Sequence, residues 1–374
     1  EAVAEYFHGG PFFPGALPSA GTKIGTVVRA APRDGRIVCE ARGLRVWSSM
    51  TQRNPNLDLV RAIAILMVLI FHAPADLGPL IPVLKEHGYL GVNLFFVLSG
   101  LLVGRIYLSE SSRPGFRVSR FWMRRWLRTV PPYIAILCLW AAAHAIRGQS
   151  PVPPWPYLAF LQNYLSDPYM NEMPFSWSLC VEEHFYLLLP LLGLFVSGRR
   201  MAPLVLALAA VPTITRWCEA GPSRATHLHF DGLLCGVFLA HAQRWSPEWT
   251  ARVFRPRAAT GVLAVALFAA ACCCPWWLEH TVANLSFLIF TGLATCASAW
   301  RLASFRAVHT IAATSYSAYL IHGYAYLAYE AVGQGFPWPV RLLIAAAAAA
   351  VATGLFYYLF EKPSFWLRER ICPA

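Results

Sequence analysis

The stretch Leu57-Asp58-Leu59-Val60-Arg61-Ala62-Ile63-Ala64-Ile65-Leu66-Met67-Val68-Leu69-Ile70-Phe71-His72-Ala73 decides how the rest of the chain is read. An almost purely aliphatic run carries Asp58 and Arg61 near its start and His72 at its end. A hydrocarbon core gives none of these three a cheap place to sit. As a helix rising about 1.5 Å per residue, the run puts His72 roughly 16 Å beyond Arg61. The spacing is about three turns, so both side chains lie on nearly one face and that face should look toward other protein. Asp58 and Arg61 also fit the charged flank that marks a water boundary, and His72 also fits a hydrogen-bonded bundle histidine.

Composition extends this reading to the whole chain. Of 374 residues, 57% are hydrophobic and 14% aromatic, while 13% are charged, against about 25% in soluble domains. Mean hydropathy is +0.47. Too little polar surface remains for a soluble fold, and apolar runs near the roughly 20 residues needed to cross a bilayer recur along the chain. The fold class is therefore all-α, a polytopic membrane bundle of about ten transmembrane helices. The candidate spans are 56–74, 88–108, 129–146, 177–196, 202–217, 226–243, 258–274, 281–300, 309–333 and 339–360. Trp155 to Leu165 is shorter and amphipathic, as an interfacial segment would be.

The net charge is +12, but the arginines fall between apolar runs and form no basic stripe with aromatics, which argues against a nucleic-acid partner. They mark orientation instead. With the start of the first span in the cytoplasm, seventeen Lys and Arg fall in loops and a tail on that side, among them Arg113 to Arg128, Arg199, Arg200, Arg301 and Arg306. Only Lys85, Arg147, Arg216, Arg224 and Arg341 face the other side. The positive-inside rule then gives a multi-pass protein of the inner (plasma) membrane with both termini cytoplasmic and membrane lipids as its surroundings.

Residues 1–50 are Gly- and Pro-rich without helical periodicity, and no basic segment leads into an apolar one, so they do not read as a secretory signal. They are expected to be a poorly ordered leader, or upstream sequence foreign to the native protein. Residues 51–364 form the transmembrane domain and 365–374 a short cytoplasmic tail. The ten cysteines include Cys138, Cys180, Cys235 and the run Cys272 to Cys274, in or beside apolar segments. None has zinc-type spacing, so buried thiols are expected and no metal.

Sorted by this topology, the polar residues gather toward two levels. His72, Glu182, Glu183, Arg224 and Asp231 come toward the outer side, and His322 lies mid-membrane or above. Convergence of ionisable groups from several spans points to function. On the inner side, Arg120, Arg124, Arg125 and Arg128 precede Pro131-Pro132-Tyr133. Helical spacing brings Arg124, Arg125 and Arg128 together, in a cluster suited to phosphate or to anionic lipid headgroups.

Six motifs follow one another in an order that resembles the acyltransferase-3 family of integral-membrane O-acyltransferases. They are the Arg61/His72 pair; Gly91-Val92-Asn93-Leu94-Phe95-Phe96-Val97-Leu98-Ser99-Gly100; Arg125-Trp126-Leu127-Arg128; Trp177-Ser178-Leu179 with Glu182-Glu183; Tyr319-Leu320-Ile321-His322; and Glu361-Lys362-Pro363. The resemblance spans about residues 56–364. It implies a ten-helix bundle that takes an acyl group, usually acetyl, from cytoplasmic acyl-CoA to a hydroxyl, commonly on a sugar of a surface polysaccharide or glycoconjugate. It also implies essential roles for Arg61 and His72 and an association of Arg125 and Arg128 with the acyl donor. Some members carry a C-terminal esterase-like domain, and no such domain follows Pro363 in this sequence.

The residues fit that chemistry. Acyl transfer to an alcohol needs a base, oxyanion stabilisation and a grip on the donor's phosphates. His72 is the best base, because an unperturbed imidazole titrates near neutrality. Glu182, ahead of Glu183, would orient the imidazole or position the acceptor. Ser99 reads either as a nucleophile or as a backbone-bonding serine, and Trp177, Arg224, Asp231 and His322 as acceptor-binding or structural polar residues, with Asp58. Gly91, Gly100 and Gly104 would permit close helix approach. With the arginines inside and His72 toward the outside, the donor's thioester arm must thread the bundle. A glycan or lipid transporter would share the spans and buried charges, but no inverted repeat is evident.

Overall fold

The computed structural model describes residues 53–165, 169–195, 198–219, 221–332 and 335–373. The expected leader, residues 1–50, lies outside them. Asn54–Ala374 is one compact unit. Its long helices are α1 (Pro55–His72), α2 (Gly91–Glu110), α3 (Val118–Ile146), α4 (Trp177–Phe195), α5 (Met201–Cys218), α6 (Phe230–Trp245), α7 (Ala258–Ala271), α8 (Trp276–Cys296), α9 (Ser315–Val332), α10 (Trp338–Phe356) and α11 (Lys362–Ile371). Among the described residues no strand occurs, as an all-α fold requires.

Each of the ten expected segments falls on a helix. Among the described residues, five helical spans are long and apolar enough to cross a bilayer, six if the bent pair Pro247–Val253 and Ala258–Ala271 forms one span. The others are shorter or carry polar residues within them, such as Glu182 and Glu183 on α4, Asp231 on α6 and Asn284 on α8. Ten crossings thus exceed what length and composition alone establish.

Local chemistry sets the ends of α1. Asn54 caps it, its side-chain oxygen accepting from the Asn56 N–H at 2.9 Å, and Pro55 occupies the first turn, where a missing N–H costs nothing. Pro74 bars the helix from running past Ala73, whose backbone is extended. At the other end of the chain, α10 passes through a π-turn at Tyr357–Glu361 into α11. Such turns are common at functional sites, and this one buries Glu361.

The centre of the bundle is α2, buried along nearly its whole length and packed chiefly on α6. Glycine makes that approach possible. A Cβ on Gly100 would stand 2.0 Å from the Leu233 carbonyl oxygen, and one on Gly236 would stand 2.1 Å from that of Val97. The periphery is the reverse: Leu206 on α5, Val262 and Val265 on α7, and Leu343, Val351 and Leu355 on α10 point outward and exposed. An apolar perimeter of this kind is suited to hydrocarbon.

Trp155 to Leu165 departs from a single interfacial helix. It forms a short helix at Trp155–Leu158 and a turn at Gln162–Tyr164, with Tyr157, Gln162 and Asn163 buried. Their amide donors are satisfied within the protein, Gln162 donating to the Tyr133 and Ser176 hydroxyls at 3.2 Å each and Asn163 to the Thr226 hydroxyl at 2.7 Å, while the two amide oxygens are buried without a partner among the described residues. The start of α4 consequently rests on protein, with Ser176 and Ser178 buried.

Candidate active site

The i, i+3 pair Arg125 and Arg128 projects from α3 toward α1, α4 and the π-turn. Arg128 shares an electrostatic neighbourhood with Arg61, Arg125, Glu361 and Tyr186. Arg61 and Arg128 are felt at Glu182 and again at Glu361. Two carboxylates and two guanidinium groups from four elements thus lie within electrostatic reach of one another inside the bundle, where weak screening strengthens each attraction. Hydrogen bonds fix the carboxylates. Tyr186 donates to Glu182 Oε2 at 3.0 Å, and the Ser99 and Tyr186 hydroxyls are 2.9 Å apart. The Ser317 N–H donates to Glu361 Oε2 at 3.1 Å, and its hydroxyl bonds the same oxygen. Thr129 donates to Glu183 Oε1 at 2.7 Å, and Oε2 is buried.

At the far end of α1, His72 meets a different group. Its ring centroid is 4.7 Å from that of His322 on α9, and the charges felt there are Lys85 and Arg224. Lys85 donates to the Ala73 carbonyl at 2.6 Å. The Tyr319 ring lies 5.9 Å from that of His322, centroid to centroid, and feels the charges of both Glu182 and Arg224. Its hydroxyl donates to the Phe175 carbonyl at 2.7 Å.

The expected site residues therefore sort differently from a single outer level. Glu182 and Glu183 accompany the arginines, and among the described residues no carboxylate orients His72, whose Nδ1 is held by the Val68 carbonyl at 3.0 Å. The cause is the buried segment ahead of α4: five residues from the start of that helix is not five residues from a surface. Asp231 is paired with Arg216 at 2.8 Å and accepts from Thr281 at 3.2 Å, apart from both groups. Asp58 lies 3.6 Å from His309. Trp177 packs at a tilt against His229, centroids 4.7 Å apart. Arg124 turns away from Arg125 toward α11, where it donates to the Cys372 carbonyl and lies 4.0 Å from Glu369.

Tyr186, Thr129, Tyr319 and Glu361 are site residues that sequence reasoning did not single out. Tyr186 follows Glu182 by one helical turn, a spacing that signals contact, and Glu361 stands in a quoted motif. Tyr319 likewise opens the quoted Tyr319-Leu320-Ile321-His322 motif, whereas Thr129 gave no comparable signal. Among the described residues no group of three His, Cys, Asp or Glu is arranged to hold a metal.

A family model described as an acyltransferase domain matches residues 54–359. The chain belongs to the acyltransferase-3 family. It is 30% identical over 160 residues to the O-acetyltransferase OatA of Staphylococcus aureus strain NCTC 8325, covering 39% of this chain and 25% of that protein. OatA of strain COL and of strain MRSA252 matches equally. The chain spans about a quarter of the length of these curated relatives. No solved structure matches it. In this acyltransferase-3 chain the Arg61, Arg125/Arg128, Glu182 and Glu361 motifs meet at one end of α1, and the His72 and His322 motifs at the other.

Proposed function

We propose that this protein is a membrane-embedded O-acyltransferase that moves an acyl group, acetyl by preference, from cytoplasmic acyl-CoA to a sugar hydroxyl of a surface polysaccharide or glycoconjugate. The observation that carries the reading is the division of α1 between a buried guanidinium–carboxylate cluster around Arg61 and a histidine site at His72, roughly 16 Å apart along the helix. One end suits the phosphates of a CoA donor. The other holds a base.

In this reading Arg125 and Arg128 bind the donor, and Glu182 and Glu361 hold Arg61 and Arg128 in place. The thioester passes beside Tyr319 toward His72. There the acceptor hydroxyl loses its proton to the imidazole as its oxygen attacks the carbonyl carbon; the tetrahedral intermediate collapses with cleavage of the C–S bond, and the imidazolium returns the proton to the CoA thiolate. Arg224 and Lys85 are the cations nearest the place where the oxyanion forms. Ser99, hydrogen-bonded to Tyr186, then serves to position Glu182 and not as a nucleophile. Both termini lie in the cytoplasm, on the side of the arginine-rich loops, and ten helices cross the plasma membrane.

The test is purified full chain in detergent with labelled acetyl-CoA. Release of CoA, or transfer of label to carbohydrate, should vanish in His72→Ala and weaken in Arg125→Ala. Turnover unchanged in both would sink the assignment. Movement of an unmodified glycan across vesicles, without label transfer, would favour a transporter.

A further inference from the structure

His322 takes no part in the reaction just described, yet its ring is a direct neighbour of His72. Each imidazole has its Nδ1 against a carbonyl of its own helix, Val68 O at 3.0 Å for His72 and Tyr319 O at 2.7 Å for His322. A carbonyl oxygen only accepts. Both Nδ1 atoms therefore carry the hydrogen, and both Nε2 atoms present lone pairs. Two neutral rings in this tautomer have no hydrogen bond to offer each other. Once one of them gains a proton, they do.

The spacing is held from both helices. Tyr326, one turn beyond His322 on α9, donates to the Leu69 carbonyl on α1 at 2.7 Å, which ties the two helices beside the pair. Phe175, Tyr319 and Tyr326 surround the His322 ring, with centroids at 5.5, 5.9 and 6.3 Å. At 2% exposure His322 is closed off from solvent, whereas His72 is only half-buried. The charged groups felt at His72 are Lys85, from the short helix Ile81–Lys85, and Arg224, from the segment before α6. Both are cations and resist an imidazolium. The nearby group that favours one is the lone pair of His322.

We propose that His322 is the proton partner of His72. This rests on the reading of His72 as the base. When His72 takes the proton from the acceptor hydroxyl, the His322 ring stands beside it, centroids 4.7 Å apart, as a second nitrogen base to share the proton. It is shared until the CoA thiolate takes it, so no net proton is gained or lost by the pair. Because the bond between the rings exists only in the charged state, it stabilises the transition state and not the resting enzyme. His322 is a positioning residue and does not touch the acceptor.

Two substitutions separate this role from space-filling. His322→Asn keeps a donor for the Tyr319 carbonyl and loses the outer lone pair, whereas His322→Gln carries a carbonyl oxygen out to the Nε2 position. The assay is thiol release from acetyl-CoA by the full chain in detergent, with water as the acceptor, across a pH series. His322→Asn should lower the plateau rate about tenfold, the loss of one stabilising contact in the transition state, with KM for acetyl-CoA within about twofold. The acid limb should move to lower pH, because an unsupported imidazolium forms less readily. His322→Gln should restore most of the rate and the position of the limb. A limb that stays in place in His322→Asn, or a Gln variant no better than the Asn variant, overturns the proposal. Full activity in His72→Ala would instead remove the base assignment beneath it.

Discussion

Arg216 and Asp231 form an ion pair at 2.8 Å with their side chains 1% and 3% exposed, the most deeply buried charge pair among the described residues. Arg216 also donates to the Trp277 carbonyl at 3.1 Å and to the Thr281 hydroxyl at 2.6 Å, so it links α5, α6 and α8. Asp231, which the sequence leaves as either acceptor-binding or structural, is thereby tied into the scaffold. Removing one partner leaves a charge buried alone, at a cost of about 3–5 kcal/mol. Asp231→Ala should unfold well below the parent, and Arg216→Met with Asp231→Leu should recover most of the loss. A thermal melt in detergent with the single variant unshifted would refute the structural role.

Glu182 and Glu183 are neighbours on α4 with different surroundings. Glu182 has Tyr186 and faces Arg61 and Arg128. Glu183 accepts a bond from Thr129 on Oε1, its Oε2 is buried, and it also feels the charge of Glu182. Neutralising Glu183 removes a like-charge neighbour while the Thr129 bond remains. Glu183→Gln should therefore raise Tm by roughly 2 °C or more, while Glu182→Gln should cut turnover by about a hundredfold or more through loss of the arginine anchor. Equal effects of the two changes on turnover would dissolve the distinction.

Three arginines within five residues make separable predictions for donor binding. Arg125 and Arg128 face the cluster at Arg61, whereas Arg124 is engaged by Cys372 and Glu369 on and beyond α11. A charge-assisted contact to phosphate is worth about 1.5–3 kcal/mol, or roughly ten- to a hundredfold in KM. Arg128→Ala should raise KM for acetyl-CoA by that factor. Arg124→Ala should leave it within about twofold. A KM increase in Arg124→Ala as large as that in Arg128→Ala would return Arg124 to the donor site.

How much of this was legible in the sequence follows from the kind of constraint involved. Arg61 and His72 sit on one uninterrupted helix, so arithmetic at 1.5 Å per residue separates them correctly. The i, i+3 pair Arg125 and Arg128 is legible for the same reason. The company Glu182 keeps with the arginines was not legible, because it depends on residues 155–165 and 169–176, whose short helices and turns have no period to read; only the structure reveals that Gln162, Asn163 and Ser176 are buried. The partner of Asp231 lies fifteen residues away on another helix, and pairing between helices is a matter of packing, which no local pattern encodes. Arg124 stands between the two cases. Adjacent helical residues point about 100° apart, which separates Arg124 from Arg125, but the choice of the inward one needed α11 in place.

The contact of α2 with α6 makes the last prediction, since it sets where Ser99 stands. Gly100 follows Ser99 directly, and a Cβ there would meet the backbone of Leu233 at 2.0 Å; a Cβ on Gly236 would meet Val97 and Leu101 backbone at 2.1 and 2.4 Å. Backbone atoms have no rotamer to move, so the helices themselves must separate, with a loss of packing along much of their length. Gly261 on α7 and Gly323 on α9 have no atom within 4 Å of the added Cβ, and alanine there gains helix propensity of about 1 kcal/mol instead. Gly236→Ala should therefore lower Tm by roughly 4 °C or more and reduce turnover, because displacing α2 stretches the 2.9 Å link from Ser99 to Tyr186 and through it Glu182. Gly261→Ala and Gly323→Ala should hold or raise Tm. If Gly236→Ala melts and turns over like the parent, α2 and α6 do not approach as closely as this packing requires.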